Sequence, residues 1–257
     1  MLDPGIIEGF PAVSLQEMDS VKLMNRIDSK FLTDEDTLAG ILLDANALGY
    51  RALQTEGSKT ASYDTLYFDT PALKMFLDHH NRRLVRQKVR TRVYVDSGLT
   101  FLEIKRKNNH GRTKKKRMEI PAAEFKDFKA DAGACSYLAE KSDYTADGIT
   151  PSLETIFRRI TLVNPAMTER VTIDRGVTFN NIRTSREASL KDSVIIEIKQ
   201  DGRTQSTMRG ILLDHRVKPI RVSKYCMGIT LTDPAIKANR FKLKVRKIEK
   251  QIKQKLI

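Results

Sequence analysis

Arg86, Lys88, Arg90 and Arg92 occupy one parity of a run in which Val85, Val89 and Val93 occupy the other. Residues two apart in an extended strand share a face, so this spacing sets a row of cations against an apolar row. The alternation recurs along the chain. Glu103, Lys105 and Lys107 oppose Leu102 and Ile104; Arg26, Asp28 and Lys30 oppose Ile27 and Phe31; Arg159 opposes Ile156, Ile160 and Leu162. Arg170, Thr172 and Asp174 oppose Val171 and Ile173, and Glu197 with Lys199 opposes Ile196 and Ile198. Arginine's planar fork can hold two phosphate oxygens and lysine adds a mobile point charge, so rows of this composition can do phosphate-binding chemistry. The few carboxylates suit another task. Glu197, with Glu103 or Asp28, could coordinate a hard divalent cation such as Mg²⁺ or Mn²⁺ that bridges phosphate oxygens.

Two readings of these charged faces stand side by side. In the first they are solvated outer faces of an ordinary sheet. Such faces usually intersperse both signs, because like charges set opposite one another repel. The six segments instead carry eleven basic residues and four acidic ones. In the second reading the sheet closes with the charged faces inward, giving a cationic tunnel whose low-dielectric walls strengthen its hold on phosphate.

The elements that position these residues read as an antiparallel α+β pattern. A first strand over 26–32 runs into Thr33-Asp34-Glu35-Asp36, where Thr33 can cap and Asp36 can answer it before a helix through Leu48. Strands follow at 62–69, 84–95 and 99–107, the last two joined by Asp96-Ser97-Gly98, a turn suited to a hairpin. Asn108 to Gly111 turns into a strand at 113–120, short helices fill 122–141, strands read at 153–163, 168–174 and 193–199, and a helix at 204–214. Residues 1–234 are expected to form one tunnel domain and 235–257 a basic amphipathic helix. Between Lys237 and Lys255 stand nine Lys/Arg and one acid, Glu249, while Val245, Ile248, Ile252 and Leu256 recur at helical spacing. The helix either docks on the domain or offers a contact to an acidic partner, a membrane protein or an anionic membrane surface.

Composition agrees with a polyanion as partner. The chain of 257 residues carries 46 Lys+Arg against 32 Asp+Glu, a net charge of +14. Nucleic acid is disfavoured, because the basic residues lack interleaved aromatics that stack bases and the chain has no Trp. No apolar run reaches the length of a membrane-spanning helix and the first thirty residues lack a secretory core, so a cytoplasmic protein is expected. Cys135 and Cys226 read as ordinary thiols. His79 and His80 lack metal-ligand spacing with another histidine and read as surface or capping residues; Tyr67 and Phe68 read as wall.

The run from Tyr63 to Arg117 (YDTLYFDTPALKMFLDHHNRRLVRQKVRTRVYVDSGLTFLEIKRKNNHGRTKKKR), the later VIIEIKQDGR and the closing RVSKYCMGI resemble, in order, spacing and type, the VTC domain. This is the polyphosphate polymerase domain of the vacuolar transporter chaperone family, in the triphosphate tunnel metalloenzyme superfamily. The resemblance covers roughly residues 26–229. It implies an antiparallel β-barrel forming a basic tunnel with peripheral helices, and transfer of the ATP γ-phosphoryl group to a growing polyphosphate with Mn²⁺ or Mg²⁺. ATP and polyphosphate or pyrophosphate are the implied partners. Position by position, Lys30 matches the first-strand lysine, Arg90 and Arg92 an RxR pair, and Lys105 the lysine of an E-x-K strand. Lys116 matches the lysine of the next strand, with Lys114 the alternative register. Arg159 and Arg170 resemble the two later arginines, Glu197 the metal-binding glutamate, and Arg221 and Lys224 a basic pair. Arg86, Lys88, Lys107 and Lys199 extend the phosphate-binding set from strand parity. One departure stands out. Hydrolytic relatives begin with E-x-E-x-K, whereas this chain reads Arg26-Ile27-Asp28-Ser29-Lys30. Fewer acids and more cations favour holding an anionic chain over activating water, with a tunnel-type triphosphatase or a non-catalytic polyphosphate or inositol-phosphate binder as alternatives.

Overall fold

A computed structural model describes residues 2–19, 26–202, 204–253 and 255–256. The chain opens with α1 (Pro4–Glu8), β1 (Ala12–Val13) and α2 (Leu15–Asp19), followed by β2 (Arg26–Asp34) and α3 (Glu35–Ala47). The cap of α3 is Asp34, whose carboxylate accepts the Thr37 N–H at 2.8 Å, and not Thr33 as the sequence suggested. Thr33 pairs with Val194 inside the ladder, whereas Asp34, opposite Ser193, is the last paired residue of β2 and directly precedes the helix. The direction of the Arg26 side chain lies outside the described residues.

Next come β3 (Arg51–Leu53), β4 (Thr60–Asp69), α4 (Lys74–His80), β5 (Arg86–Tyr94), β6 (Thr100–Lys107) and β7 (Thr113–Glu119). Gly98 and Gly111, with φ of 70° and 80°, supply the left-handed backbone that the two hairpin turns require. A 3₁₀ turn at Ala122–Glu124 and α5 (Ala132–Lys141) lead to β8 (Thr150–Val163), β9 (Glu169–Asn181), β10 (Arg186–Ser189) and β11 (Ser193–Asp201). The chain finishes with α6 (Thr207–Asp214), α7 (Lys224–Thr232) and α8 (Asn239–Ile252). β9 runs well beyond the expected strand. No helix among the described residues is long and apolar enough to cross a membrane.

The main sheet has the order β2-β11-β9-β8-β4-β5-β6-β7, and its ladders are antiparallel. It curls into a half-barrel. Glu197 on β11 and Lys105 on β6 stand far apart in this order yet act on each other electrostatically, which a flat sheet would not allow. Among the described residues no ladder joins β7 back to β2.

The apolar parity of the strands points outward, where helices cover it. α3 and α6 bring Leu38, Ile41, Leu42 and Leu212 against Ile160, Leu162, Val171, Ile173, Ile196 and Ile198. Phe125, Phe128 and Leu138 cover Leu66, Val89, Leu102 and Ile104. The charged parity therefore faces the concave side, and the solvated-face reading does not hold for this sheet. α7 and α8 fill part of the concavity with Tyr225, Met227, Ile229, Phe241 and Val245 against Leu153, Phe157, Phe179 and Ile195. α7 comes close enough that a Cβ on Gly228 would collide with Leu153 and Phe179. On α8, Phe241, Val245, Ile248 and Ile252 are buried, so the basic helix is docked on the domain.

Candidate active-site tunnel

Two carboxylates organise the concave face. Glu103 on β6 is fully buried, and its Oε2 accepts from Arg90 Nε at 2.7 Å and from Arg90 Nη2, while Lys115 pairs with Oε1. Arg90 Nη1 also donates to the Tyr67 hydroxyl at 3.2 Å. Burial alone would raise the Glu103 pKa, but Arg90, Arg92 and Lys115 overcome it and hold the group well below the carboxylate range. Asp174 on β9 accepts from Arg159 Nε at 2.6 Å and Nη2 at 2.9 Å, and it also pairs with Lys224 at the start of α7.

Beneath these cations lies an aromatic floor. Tyr63 and Phe157 stack with ring centroids 5.2 Å apart and planes 2° from parallel. Arg92 and Arg159 each sit 5.0 Å from the Tyr63 centroid, and Lys224 Nζ is 4.3 Å from that of Phe157. Ring faces attract cations and give them a fixed, partly dry surface without consuming their charge.

Arg92 and Lys105 differ from the paired residues. The Arg92 side chain is buried and its Nε donates to Thr65 Oγ1 at 3.0 Å, but among the described residues it has no carboxylate partner. Burial and then Arg90 lower its pKa to about 10, far below an ordinary guanidinium. Lys105 likewise has no carboxylate partner among the described residues, and Arg90, then burial, holds it well below an ordinary lysine. Glu103 and Glu197 act on these cations only from beyond ion-pair distance, so each can take a further anion in the low-dielectric cleft.

Glu197 Oε2 lies 3.2 Å from Lys30 Nζ. Burial works to raise its pKa, while Lys30, Lys199 and Lys105 together keep it well below the usual carboxylate range. Asp28 stands opposite Lys199 and therefore diagonal to Glu197 across the β2–β11 ladder. Glu103, the other acid the sequence offered, is engaged by Arg90 and Lys115. The described residues contain no group of three or more metal-ligating side chains. Glu197, with Asp28 across the ladder, still fits a Mg²⁺ or Mn²⁺ ion of the kind held by one or two carboxylates and completed by substrate phosphates.

The other expected residues fall as follows. Arg86 stands opposite Lys107, and Lys88 opposite Lys105, all on the concave face. Lys88 Nζ donates to Ser223 Oγ at 2.8 Å. Arg170 and Lys199 are paired neighbours on β9 and β11, with Arg170 Nη2 donating to the Met18 carbonyl at 2.8 Å. Arg221 is exposed on the segment before α7. Lys116 is the correction: it is exposed and pairs with Ile104 on the outward parity, as Lys114 pairs with Arg106. Lys115, opposite Lys105, is the lysine of β7 that enters the tunnel. Tyr63, Thr65, Phe157 and Lys115 were not singled out from sequence, although the parity rule places Tyr63, Thr65 and Tyr67 on one face of β4. His80 does not lie at the surface, and His79 is half-buried. His80 is buried with Nε2 2.8 Å from Asn239 Oδ1, and His79 lies under Phe241.

A family model described as the VTC domain matches residues 25–232. A sequence search of curated proteins finds no significant match. Among solved structures, a Bacillus halodurans protein assigned as an adenylate cyclase superposes with a TM-score of 0.51 at 13% identity, covering 78% of this chain and 96% of its own. A Hippeastrum protein assigned as an adenylyl cyclase, with a dominant triphosphatase activity, gives 0.48 at 15% identity, over 80% of this chain and 95% of its own. At such identities the likeness is one of fold.

Proposed function

We infer the function from a premise and a site: the chain belongs to the VTC domain family, and its tunnel is built to hold phosphate. The reading is a metal-dependent polyphosphate polymerase that moves the γ-phosphoryl group of ATP onto the end of a polyphosphate chain. The observation that carries it is the pair of cations that form no ion pair among the described residues, buried Arg92 and half-buried Lys105, beside the locked Arg90. Multiply charged linear phosphate supplies the missing negative charge along the tunnel axis.

In this reaction a terminal oxygen of the acceptor chain forms the new P–O bond, the bond from the γ-phosphorus to the β–γ bridging oxygen breaks, and ADP leaves with the electron pair. The acceptor is already ionised, so no general base is needed. Positioning and charge neutralisation do the work. Arg90, oriented by Glu103 and Tyr67, presents a fixed fork. Arg92, Lys105, Arg159 and Lys224 offset the charge that spreads over the transferring group. Glu197, with Asp28 near it, would hold a divalent cation, which would supply further charge neutralisation.

Purified protein given ATP and Mn²⁺ is expected to yield a phosphate polymer, seen as a ladder on a gel, and Arg92→Ala to abolish it. Orthophosphate released from tripolyphosphate without a ladder replaces this reading with a tunnel triphosphatase. Tight polyphosphate binding with neither product replaces it with a binding module.

A further inference from the structure

Beyond Arg90 the concave face leads to a second group of cations that the sheet alone does not build. Arg86 of β5 stands directly opposite Lys107 of β6, a like-charge pair that costs stability unless something neutralises it. Lys88 lies next along β5, held by Ser223. Arg221, Arg82 of the α4–β5 turn and Lys244 of α8 complete the group: Arg82, Arg221 and Lys88 all act on Lys244, and Arg86 and Arg221 act on Lys107. None of these residues forms an ion pair with a carboxylate among the described residues.

His79 sits in the middle of the group. Its Nδ1 is buried without a hydrogen-bond partner. Burial, then Lys88, Arg86, Lys244 and Lys107, pushes the ring down to about 2, so it is neutral and its polar nitrogen is left for a ligand or nothing.

Lys244 reaches this place because α8 is pinned to α4. His80 Nε2 meets Asn239 Oδ1 at 2.8 Å, and the Phe241 ring lies 5.6 Å from His80 and 6.2 Å from His79. Lys244 is the next residue on the same helix face, with Nζ 5.1 Å from the Phe241 centroid. From Arg92 to Arg86 the strand advances about 20 Å at ~3.3 Å per residue. Lys105 faces Lys88, so an extended triphosphate held between Arg92 and Lys105 ends one strand repeat, about 7 Å, short of the Arg86–Lys107 pair.

We propose that Arg86, Lys107, Arg221 and Lys244, with His79 between them, form an outer anion station that takes the distal phosphates of a linear polyphosphate and so selects long chains over triphosphate. The proposal rests on the reading that the tunnel holds a phosphate chain. It makes the C-terminal helix a specificity element of that tunnel.

The test compares dissociation constants of long-chain polyphosphate and tripolyphosphate, by titration calorimetry in metal-free buffer, for the full chain and for the double variant Lys244→Gln with Arg221→Gln. The preference for the long chain is expected to fall about fivefold, the effect of removing one exposed and one half-buried ion contact. A preference that stays the same, or affinities for both ligands that fall in parallel at unchanged melting temperature, overturns the outer station. If the double variant melts lower, Arg221→Gln alone, altering an exposed loop side chain, decides by the same ratio. Failure of the parent protein to bind either ligand sinks the phosphate-chain reading itself, a result distinct from loss of the preference.

Discussion

Asp174 grips Arg159 at two points, Oδ1 taking the Nε–H at 2.6 Å and Oδ2 the Nη2–H at 2.9 Å, and the same carboxylate pairs with Lys224. One acid on β9 thereby holds two tunnel cations in place from different elements. Asp174→Asn leaves both half-buried without their ion-pair partner. The expected cost in anion-free buffer is about 3 kcal/mol, read from urea unfolding. Tripolyphosphate supplies charge to the same cations and binds only the folded chain, so it should recover more stability in the variant than in the parent protein. An unchanged urea midpoint would show that the pair does not hold the site together.

Lys224 gives the tunnel a pH response. Burial lowers its pKa from 10.5 to about 8, with Asp174 resisting and Arg159 and Lys30 adding to the fall. The folded, unliganded chain thus releases this proton more readily than the unfolded chain, and the contribution of Lys224 to stability rises with pH between about 8 and 10.5. Anion affinity runs the other way, because the cation is lost over the same window. Tripolyphosphate affinity is expected to fall as pH rises through about 8, and Lys224→Arg to flatten part of that fall. Lys105 is held down in the same direction, mainly by Arg90. Identical pH profiles for parent and variant would remove Lys224 from the site.

The register of β7 can be checked with two neighbouring lysines. Lys115 faces Lys105 and pairs with Glu103, whereas Lys116 faces Ile104 on the outer side. Lys115→Ala should weaken tripolyphosphate binding, and Lys116→Ala should leave both binding and polymer formation as they are. The reverse result would mean that the strand is shifted by one residue.

That error of one residue shows what the sequence carries. In β5, β6, β9 and β11 valine and isoleucine alternate with Arg, Lys and Glu, so each side chain's face follows from period two alone. In β7 the run Thr113-Lys114-Lys115-Lys116-Arg117 has no apolar marker, and only the ladder with β6 fixes the register. The cap of α3 was missed by a similar margin, because whether Thr33 or Asp34 ends the strand depends on how far β11 carries the pairing, which reaches Ser193 opposite Asp34. The Tyr63–Phe157 floor joins β4 to β8 and gains its meaning from cations on β5 and α7, a tertiary coincidence with no local signature. His79 and His80 looked superficial for the same reason: the helix that covers them begins at Asn239.

Glu197 separates binding from chemistry. Its carboxylate is the metal donor of the proposed reaction, and Lys30 at 3.2 Å is its partner across the β2–β11 ladder. Glu197→Gln keeps the shape of the side chain and removes the charge, so polymer formation should be lost at any Mn²⁺ concentration. Binding of tripolyphosphate in EDTA should behave differently. Removing a negative charge from a cationic cleft strengthens its field, and affinity there should equal or exceed that of the parent protein. A variant that has lost both activity and metal-free binding would make Glu197 a support for Lys30 and nothing more. One that keeps full Mn²⁺-dependent activity would move the metal away from Glu197, with Asp28 the next carboxylate to replace.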